Sequence, residues 1–425
     1  MKRTFLSIII SVLAVLGVSA QPVIKKVQVA LIPDHADALY KVGEQAKFKV
    51  IAMDCGIALN DVTIDYEVSE DLMPAHLKKS ITLKGYEGSI NAGTMKEPGY
   101  LRVKAIVKHE GSTYTSYSTV GFDTDKLMPL VKMPTDFEAY WTNQIKALDK
   151  VDLAPKMERI AERCTDKVEV YHISYGNVGR TRMYGVLTMP KKEGKYPAIL
   201  RVPGAGVHAM SGNVAWAAKG AIVLEIGIHG IPVIMEGSVY SDLANGVLSS
   251  YFVDGIDNRD SYFYRRVFLG CVHAVDFLLA LPNSNGKVGV MGGSQGGMLA
   301  MATSYLDKRI SATGVYFPAF CDQEAYMHGR TGGWPHFFKN TENWKKEYLE
   351  TIRYYDASNF AKGLKAPVYY AFGYNDLTCG PTTSQATYNA IPAPKTLVIG
   401  ENQGHWLFPE LFSGMWEWMI EELTK

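Results

Sequence analysis

Alternating apolar and polar residues characterise the first part of the chain, from residue 22 to about residue 124. This period of two is that of a strand with one buried face. Turn residues such as Lys84-Gly85 and Glu110-Gly111 separate some of the runs. Short strands at this spacing predict a small all-β sandwich of the immunoglobulin type over residues 21–124. The predicted strands are Val23–Ile32, Ala46–Ala52, Val62–Val68, Tyr100–Val107 and Thr113–Val120.

A stretch with two prolines, residues 125–135, interrupts this pattern. Proline disfavours helix at its own position and at the preceding one, so an extended linker is predicted there. Over residues 136–425, short apolar runs alternate with segments of helical period, which predicts an α/β domain with a mostly parallel sheet and helices on both faces. The predicted strands are Val168–Ser174, Met183–Met189, Ala198–Val202, Ala221–Ile226, Val288–Met291, Ala312–Phe317, Val368–Phe372 and Thr396–Ile399, and the predicted helices start near Asp136 and Gln295 or span Tyr264–Leu281 and Leu411–Leu423.

Residues 1–20 have the features of a secretory signal peptide. Lys2 and Arg3 supply positive charge, Phe5–Val18 is almost wholly apolar, and Val18-Ser19-Ala20 offers small residues for cleavage. The apolar run is shorter than the roughly 20 residues of a membrane-spanning helix. We therefore expect export to the periplasm or the medium, with no membrane span.

Net charge and cysteine content argue against two classes of protein. The formal net charge is only +1, whereas a nucleic-acid-binding protein needs a basic surface, so no nucleic-acid partner is expected. The five cysteines show neither a CxxC motif nor the Cys/His spacing of a zinc site, so no metal site is predicted. Buried thiols are the favoured interpretation, and Cys321 with Cys379 is the one disulfide considered.

The most specific motif is Gly292-Gly293-Ser294-Gln295-Gly296-Gly297, between a predicted strand and a predicted helix. A G-x-S-x-G sequence in that context is the nucleophile elbow of a serine hydrolase, whose glycines allow a sharp turn. The turn exposes the serine hydroxyl at the sheet edge, and the helix N-terminus behind it favours developing negative charge. Ser294 is therefore the predicted nucleophile.

A serine hydroxyl needs a base, and the base needs a carboxylate that orients it. In this fold their order along the chain is Ser, acid, His. Three of the ten histidines follow Ser294, and His405 lies between the last strand and the last helix, where the fold supplies the base. Asp376 is the carboxylate directly after the penultimate strand, with Asp322 and Asp356 as competitors. We expect Asp376 and His405 to complete a catalytic triad.

The oxyanion of the tetrahedral intermediate requires two backbone N–H donors. One comes from the residue after the nucleophile, Gln295, and the other from a loop after an early strand, where Ala205 in a Pro-Gly-Ala-Gly sequence is the candidate. His229, Trp334 and Trp406 are candidates for the substrate rim, with plain loop or core packing as the alternative. This chemistry requires no cofactor.

From about Met133 to its end, the chain resembles the acetyl xylan esterase and cephalosporin C deacetylase family of α/β-hydrolases. The elbow with its glutamine and the stretch from Asp376 to Tyr388 are the most specific parts of the resemblance. It implies the α/β-hydrolase fold, a Ser294-Asp376-His405 triad and hydrolysis of small acyl esters, chiefly acetyl groups on sugars. The other matching stretches are Pro134–Trp141, Tyr264–Val267, Pro318–Asp322, Tyr355–Asn359, Cys379–Thr383 and Gly404-His405.

Three sites depart from the pattern of that family. Ile228-His229-Gly230 stands where the family usually has Arg-Gly-Gln, Trp406 where it has Glu, and Pro203-Gly204-Ala205 where it has His-Gly-Tyr. The first two are structural or assembly features, so the family's ring-like homo-oligomer is left open for this chain. The third lies at the site and bears on substrate preference. The β domain is extra to the compact members of the family, and we interpret it as a docking or assembly module.

Together these observations predict a secreted serine esterase that removes acetyl groups from xylan or xylo-oligosaccharides through an acyl-enzyme. A serine peptidase of the prolyl-oligopeptidase type shares the fold and the triad order, but about 100 residues of β structure are too few for the propeller of such an enzyme. A non-catalytic carbohydrate-binding relative is the other alternative, and the complete set of triad residues argues against it.

Overall fold

Two β-sheets are formed by residues 27–122 in the computed structural model, which describes residues 26–407 and 409–425. The predicted signal peptide lies outside the described residues. Burial alternates along the longer strands, so each sheet has a buried face. The strands are β1 (Val27–Pro33), β2 (Leu39–Tyr40), β3 (Ala46–Asp54), β4 (Ile57–Ala58), β5 (Thr63–Glu70), β6 (Leu77–Thr82), β7 (Gly88–Gly93), β8 (Gly99–His109) and β9 (Ser112–Phe122).

In this N-terminal β region (residues 27–122), the smaller sheet pairs β3 with β1, β4 and β7, and the larger has the order β2-β9-β8-β5-β6. Phe48, Val50, Ile64, Val68 and Val103 have no exposed surface and form part of the apolar core. The five predicted strands are present as β1, β3, β5, β8 and β9. The pattern did not reveal β6, because most of its side chains are exposed and the strand lacks a regular buried face.

Within the described residues, the C-terminal α/β region contains a nine-stranded sheet of order β10-β11-β12-β14-β13-β15-β16-β17-β18. The strands from β14 to β18 in that order are parallel, and β10, β11 and β12 extend the sheet antiparallel at one edge. Their bounds are β10 (Lys156–Arg159), β11 (Val168–Asn177), β12 (Thr181–Pro190), β13 (Tyr196–Arg201), β14 (Ile222–Gly227), β15 (Ser284–Gly293), β16 (Ile310–Tyr316), β17 (Val368–Gly373) and β18 (Lys395–Gly400).

Helices pack against the sheet because its central strands are apolar on both sides, as in β17, where every residue is buried. α4 and α5 pack on β15, and α1 packs on α4 and α5. α9 also packs on β15, and stacked Trp416 and Trp216 rings, 4.9 Å apart, link it to α2. The helices are α1 (Phe137–Leu148), α2 (Val214–Ala218), α3 (Gly237–Asn245), α4 (Phe263–Ala280), α5 (Gln295–Leu306), α6 (Lys346–Arg353), α7 (Ala357–Ala361), α8 (Pro381–Asn389) and α9 (Pro409–Thr424).

The eight strands predicted for this region and the four predicted helices are present, the helices as α1, α4, α5 and α9. Short elements such as α2 and α7, of five residues each, give no readable period and were not predicted. No helix in the described parts of the chain is both long and apolar enough to cross a lipid bilayer.

The order of the strands places a crevice at the centre of the sheet. β13 lies between β14 and β15, so the chain leaves β13 toward one side for β14 and later returns on the other side as β15. In open α/β sheets, ligands bind at such a reversal, beyond the carboxyl ends of the strands. The loops after β13 and β15 therefore meet at the position where a site is expected.

The aromatic cluster beneath α1 supports one prediction about stability. The Trp141 side chain is only 1% exposed, packs against Phe268, Tyr355 and Phe360, and donates from Nε1 to the Tyr354 carbonyl oxygen at 3.1 Å. We expect Trp141→Ala to lower the free energy of unfolding by about 3–5 kcal/mol, because it opens a large cavity. Denaturant-induced unfolding measures the change.

The matched control is Trp344→Ala, at a tryptophan that is 43% exposed. Removal of this side chain leaves no closed cavity, so its effect should be clearly smaller. Equal losses in the two variants would contradict the prediction.

Candidate active site

Ser294 occupies the turn between β15 and α5 in a strained backbone conformation. Its φ and ψ are +57° and −124°, a region that costs a non-glycine residue about 1–3 kcal/mol. The neighbouring strand β16 and the loop after it hold this residue in place, because the Ser294 N–H donates to the Tyr316 carbonyl oxygen (3.1 Å) and the Ser294 carbonyl oxygen accepts from the Ala319 N–H (2.9 Å). Strain that is fixed by neighbouring backbone is typical of functional sites.

Two glycines of the motif allow the backbone to pass closely at this turn. A Cβ on Gly296 would lie 2.6 Å from the carbonyl oxygen of Val202, and one on Gly292 would lie 2.7 Å from the carbonyl of Gly296. Any side chain would therefore push α5 away from the end of β13. The glycines bring the loop after β13 against the first turn of α5, next to Ser294.

His405 and Asp376 form a hydrogen-bonded pair at the ends of the last two strands. His405 Nδ1 lies 2.8 Å from Asp376 Oδ2. The other carboxylate oxygen, Oδ1, accepts from the N–H groups of Thr378 (2.7 Å) and Cys379 (2.9 Å). Asp376 has no exposed surface, whereas the imidazole of His405 is 20% exposed and packs against the Phe317 ring. A buried carboxylate thus fixes the tautomer and orientation of a partly accessible imidazole.

A cavity of about 510 Å³ lies over this arrangement, with both Ser294 and His405 on its wall. Among the other predicted residues, Ala205, Trp334 and Trp406 also line it. Trp406 is 76% exposed and forms an outer wall. The structure therefore brings the predicted nucleophile, base, oxyanion loop and both tryptophans to one cavity, with Asp376 buried behind the base.

The side chain of Gln295 is fully buried and tethers the loop after β13 (residues 202–206, the β13 loop). Its Nε2 donates to the carbonyl oxygens of Gly204 (3.1 Å) and Pro203 (3.4 Å). Its Oε1 accepts from the hydroxyls of Tyr251 (2.7 Å) and Tyr264 (2.6 Å). Burial raises the pKa of Tyr251 to about 12 and that of Tyr264 well above its ordinary value, so both stay protonated donors at neutral pH.

His229 lies behind the β13 loop instead of on the cavity wall. Its Nε2 lies 2.9 Å from the Gly206 carbonyl oxygen, and its ring packs edge-on against Tyr251. Burial lowers the pKa of His229, which favours the neutral ring with a proton on Nε2 as donor. Tyr251 also accepts from the Gly206 N–H at 3.0 Å. The geometry gives His229 a supporting place under the loop, not one at the substrate rim.

Several residues of this network were not identified from the sequence. Tyr251 follows no recognisable motif, and Tyr264 belongs to a matching stretch of the family that indicates no role for its hydroxyl. A glutamine next to the nucleophile suggested a backbone donor, but it carried no information about its side chain, whose partners lie far away in the chain. The one signal in the sequence is a polar side chain at the start of a largely apolar helix, where burial is expected, since buried polar groups require partners.

Cys379, three residues after Asp376, carries a thiol with no exposed surface. Burial raises the pKa of this thiol well above its ordinary value, so it is not a thiolate at neutral pH and does not compete as a nucleophile. Cys321 is also a buried free thiol, so the considered Cys321–Cys379 disulfide is not formed.

In the described part of the chain, one group of side chains brings three potential metal ligands within 4.8 Å of one another: Asp54, His109 and Glu110. Lys26 already pairs with both of its carboxylates, with its Nζ 3.6 Å from Asp54 Oδ2 and in contact with Glu110. This group lies in the N-terminal β region, on β3 and at the β8–β9 turn, and it has no connection to the cavity.

The α/β-hydrolases share this arrangement. They have a mostly parallel sheet, a serine at a strand-to-helix turn, and an acid and a histidine beyond later strands. The family model described as acetyl xylan esterase matches residues 123–421. A curated relative, the acetyl esterase Axe7A of Xylanibacter ruminicola, is 36% identical over 398 residues, which cover 92% of this chain and 90% of the relative. The chain belongs to the acetyl xylan esterase family and is a carboxylic ester hydrolase.

Solved structures agree on the fold. The acetyl xylan esterase from Paenibacillus sp. R4 superposes with a TM-score of 0.60 at 24% identity, and acetyl xylan esterase 1 from Thermoanaerobacterium sp. JW/SL YS485 with 0.62 at 22%. Each match covers 70% of this chain and 97% of the solved chain. The family matches therefore confirm the resemblance inferred from the sequence, and the fold of the α/β region.

The tether of the β13 loop leads to a prediction about the Gln295 side chain. Gln295→Glu keeps the size but replaces the donor that faces two carbonyl oxygens with an acceptor. We expect the loop to shift and kcat for a small acetyl ester to fall by roughly 10- to 100-fold, since misplacement by about 1 Å has effects of that size. Steady-state kinetics of the folded variant measure it.

Tyr264→Phe is the graded comparison, because it removes one of two hydroxyl donors to Gln295 and leaves the amide in place. Its loss of kcat should be several times smaller. If Gln295→Glu retained full kcat, the side chain would have no role in holding the loop.

Proposed function

We propose that this protein is an exported serine esterase that removes acetyl groups from acetylated xylan or xylo-oligosaccharides. The observation that carries the proposal is the hydrogen bond between His405 and the buried Asp376, on a cavity whose wall also contains Ser294. The acetyl esterase activity of the curated relative, stated in its name, and the acetyl xylan esterase family support the acyl group and the sugar class. The predicted signal peptide supports export.

The proposed mechanism transfers the acyl group to water in two steps. Ser294 Oγ attacks the ester carbonyl carbon while Nε2 of His405 takes the hydroxyl proton, and Asp376 stabilises the imidazolium from the side of Nδ1. Collapse of the tetrahedral intermediate breaks the bond to the sugar oxygen, which takes the proton from His405. Water then adds to the acyl-enzyme with His405 again as base, and acetate leaves as Ser294 recovers its proton. The chemistry uses no cofactor.

The proposed oxyanion donors are the backbone N–H groups of Gln295 and Ala205. Gln295 is the first residue of α5, so its N–H has no acceptor within the helix. Ala205 lies on the cavity wall in the loop that the Gln295 side chain holds. One residue would thus act twice, by donating from its backbone and by fixing the second donor with its side chain. Each donor is typically worth about 3 kcal/mol in the transition state.

The proposed sugar-binding surface is the outer wall of the cavity. Trp406 is largely exposed, and its ring centroid lies 6.0 Å from that of His405. Trp334 lies on the cavity wall, where it is supported by Phe252 and Phe320 at 5.3 and 5.4 Å. Aromatic faces near the reacting ester suit the apolar faces of pyranose rings. His229 lies behind the β13 loop and is not part of the proposed sugar-binding surface.

We also propose the domain division that the sequence predicted. The N-terminal β region would be an immunoglobulin-like domain of residues 21–124, followed by a linker of residues 125–135 and a catalytic domain of residues 136–425. The two sheets of residues 27–122 and the start of α1 at Phe137 support these bounds. The start of the family match, at residue 123, agrees with a boundary at that point.

Removal of the nucleophile tests the mechanism. We expect Ser294→Ala to lower kcat by about a millionfold, to the background of the assay, because the covalent step is lost. The wild type should show a burst of acetylated enzyme with a 4-nitrophenyl acetate substrate, detected by rapid quench and mass spectrometry, and the variant should show none. Ser249→Ala, at an exposed serine, is the control and should retain wild-type rates. A Ser294→Ala enzyme with normal turnover would refute the proposal.

The sugar platform leads to a separate prediction. We expect Trp406→Ala to raise KM for acetylated xylo-oligosaccharides by about twofold to tenfold, the range of one aromatic contact, and to leave kcat/KM for ethyl acetate nearly unchanged. Trp344→Ala, outside the cavity lining, should change neither substrate. An equal effect of Trp406→Ala on both substrates would show that this ring supports the catalytic residues and does not bind sugar.

A further inference from the structure

A buried arginine of the N-terminal β region contacts the loop that carries Asp376. Arg102 lies on β8, is only 4% exposed, and extends toward the segment after β17 (residues 374–380, the acid loop). Its Nη2 donates to the carbonyl oxygens of Tyr374 (3.3 Å) and of Asp376 itself (3.0 Å). Its Nε donates to Thr119 Oγ1 at 3.0 Å. The guanidinium therefore bonds to the backbone on both sides of Asn375.

The other end of the acid loop is held by the carboxylate that pairs with this arginine. Asp71 follows β5, is 1% exposed, and has Oδ1 at 2.7 Å from Arg102 Nη2. Its Oδ2 accepts from the Thr382 N–H at 3.0 Å, in the first turn of α8, where a negative charge is favourable. A Cβ on Gly380 would lie 2.5 Å from the same oxygen, so the loop passes directly over the carboxylate. One buried ion pair thus reaches both ends of the acid loop.

Further contacts continue this interface along β8 and β9. Thr119 Oγ1 donates to Asn375 Oδ1 (2.9 Å), and the hydroxyl of Tyr100 donates to Gln385 Oε1 on α8 (3.1 Å). The rings of Tyr100 and Tyr374 meet edge to face at 5.1 Å. The side chains that contact the acid loop from this side precede residue 123, where the family match begins.

We propose that the Arg102–Asp71 pair positions the acid loop, so that the N-terminal β region is a working part of the catalytic apparatus and not a detachable docking module. The proposal rests on the role of Asp376 as catalytic acid, given under the proposed function. Arg102 is a positioning residue, since it contacts neither His405 nor the substrate cavity. Its bonds fix the backbone from which the Asp376 side chain projects, and through it the orientation of the imidazole.

The physical reason is that the backbone of the acid loop sets the place of the Asp376 carboxylate. Two of the donors to this carboxylate come from residues only two and three positions further on, and they move with the loop. On the α/β side the Asn375 N–H donates to the Gln403 carbonyl oxygen (2.9 Å) and His336 Nε2 lies 2.9 Å from the Thr378 carbonyl oxygen, and Arg102 adds bonds from the N-terminal β region. Anchors outside the loop are needed to fix it relative to His405, and the planar guanidinium with several fixed donors is suited to hold carbonyl oxygens in one arrangement. A lysine keeps the charge but cannot reproduce that set of bonds.

The test is a double-mutant cycle between Arg102→Lys and Asp376→Asn. In the otherwise wild-type enzyme, we expect Arg102→Lys to lower kcat for 4-nitrophenyl acetate by roughly 10- to 100-fold with KM within about twofold. In the Asp376→Asn background the same substitution should change kcat by less than about twofold, because the group on which it acts is absent. Deuterium exchange of the Thr378 and Cys379 amides should be faster in Arg102→Lys.

The control is Arg353→Lys, at a second partly buried arginine whose Nε and Nη2 pair with Glu324 at 2.8 and 2.6 Å without contact to the acid loop. It should leave kcat and the exchange of both amides unchanged. If Arg102→Lys does not fold, Thr119→Val, which removes the acceptor for Nε and the donor to Asn375, should show the same pattern with a smaller loss.

Two results would overturn this inference alone. One is a folded Arg102→Lys enzyme with wild-type kcat and exchange. The other is an equal fold-loss of kcat in both backgrounds, which marks a general loss of structure. If instead Asp376→Asn by itself retains full kcat, the proposed triad fails and the inference fails with it, so the two failures are distinguishable.

Discussion

The carboxylate of Asp376 imposes the main constraint on this structure. A charge with no exposed surface is stable only where hydrogen bonds replace water, and here two backbone N–H groups and an imidazole N–H do so. These donors come from the acid loop and from the loop after β18. The same carboxylate cannot be fully bonded unless both loops are in place, so its burial couples the ends of two neighbouring strands and determines where His405 lies.

The second half of the site depends on close backbone contact at the centre of the sheet. β13 and β15 are adjacent and parallel, and glycines at the elbow let α5 approach the end of β13. Gln295 then joins the two loops through its side chain. The strained turn at Ser294 and the β13 loop thus form one hydrogen-bonded unit, whereas the His405–Asp376 pair forms another. The cavity lies where the two units meet.

The N-terminal β region packs against the acid-loop side of this arrangement. Its sheets share one continuous apolar core with the α/β region, and the buried polar contacts of Arg102, Asp71 and Thr119 lie at the border. An interface of buried polar groups that pair with one another fixes register more strictly than apolar packing does, since a shift leaves charges without partners. Such an interface explains how two parts of the chain with different folds hold one loop in place.

Local sequence determined the elements and the identities of the candidate chemical groups. The alternation of apolar residues depends on neighbouring positions, and it predicted nearly every long strand and helix. The glycine-rich elbow and the order of Ser294, Asp376 and His405 along the chain indicated the candidate groups. Arg102 shows what such patterns cannot reach. It alternates with the core residues Leu101 and Val103, so the pattern assigns it to the solvent side, yet that side of β8 is covered by the acid loop. Only the tertiary structure decided which polar groups are buried, because their partners lie up to hundreds of residues away in the chain.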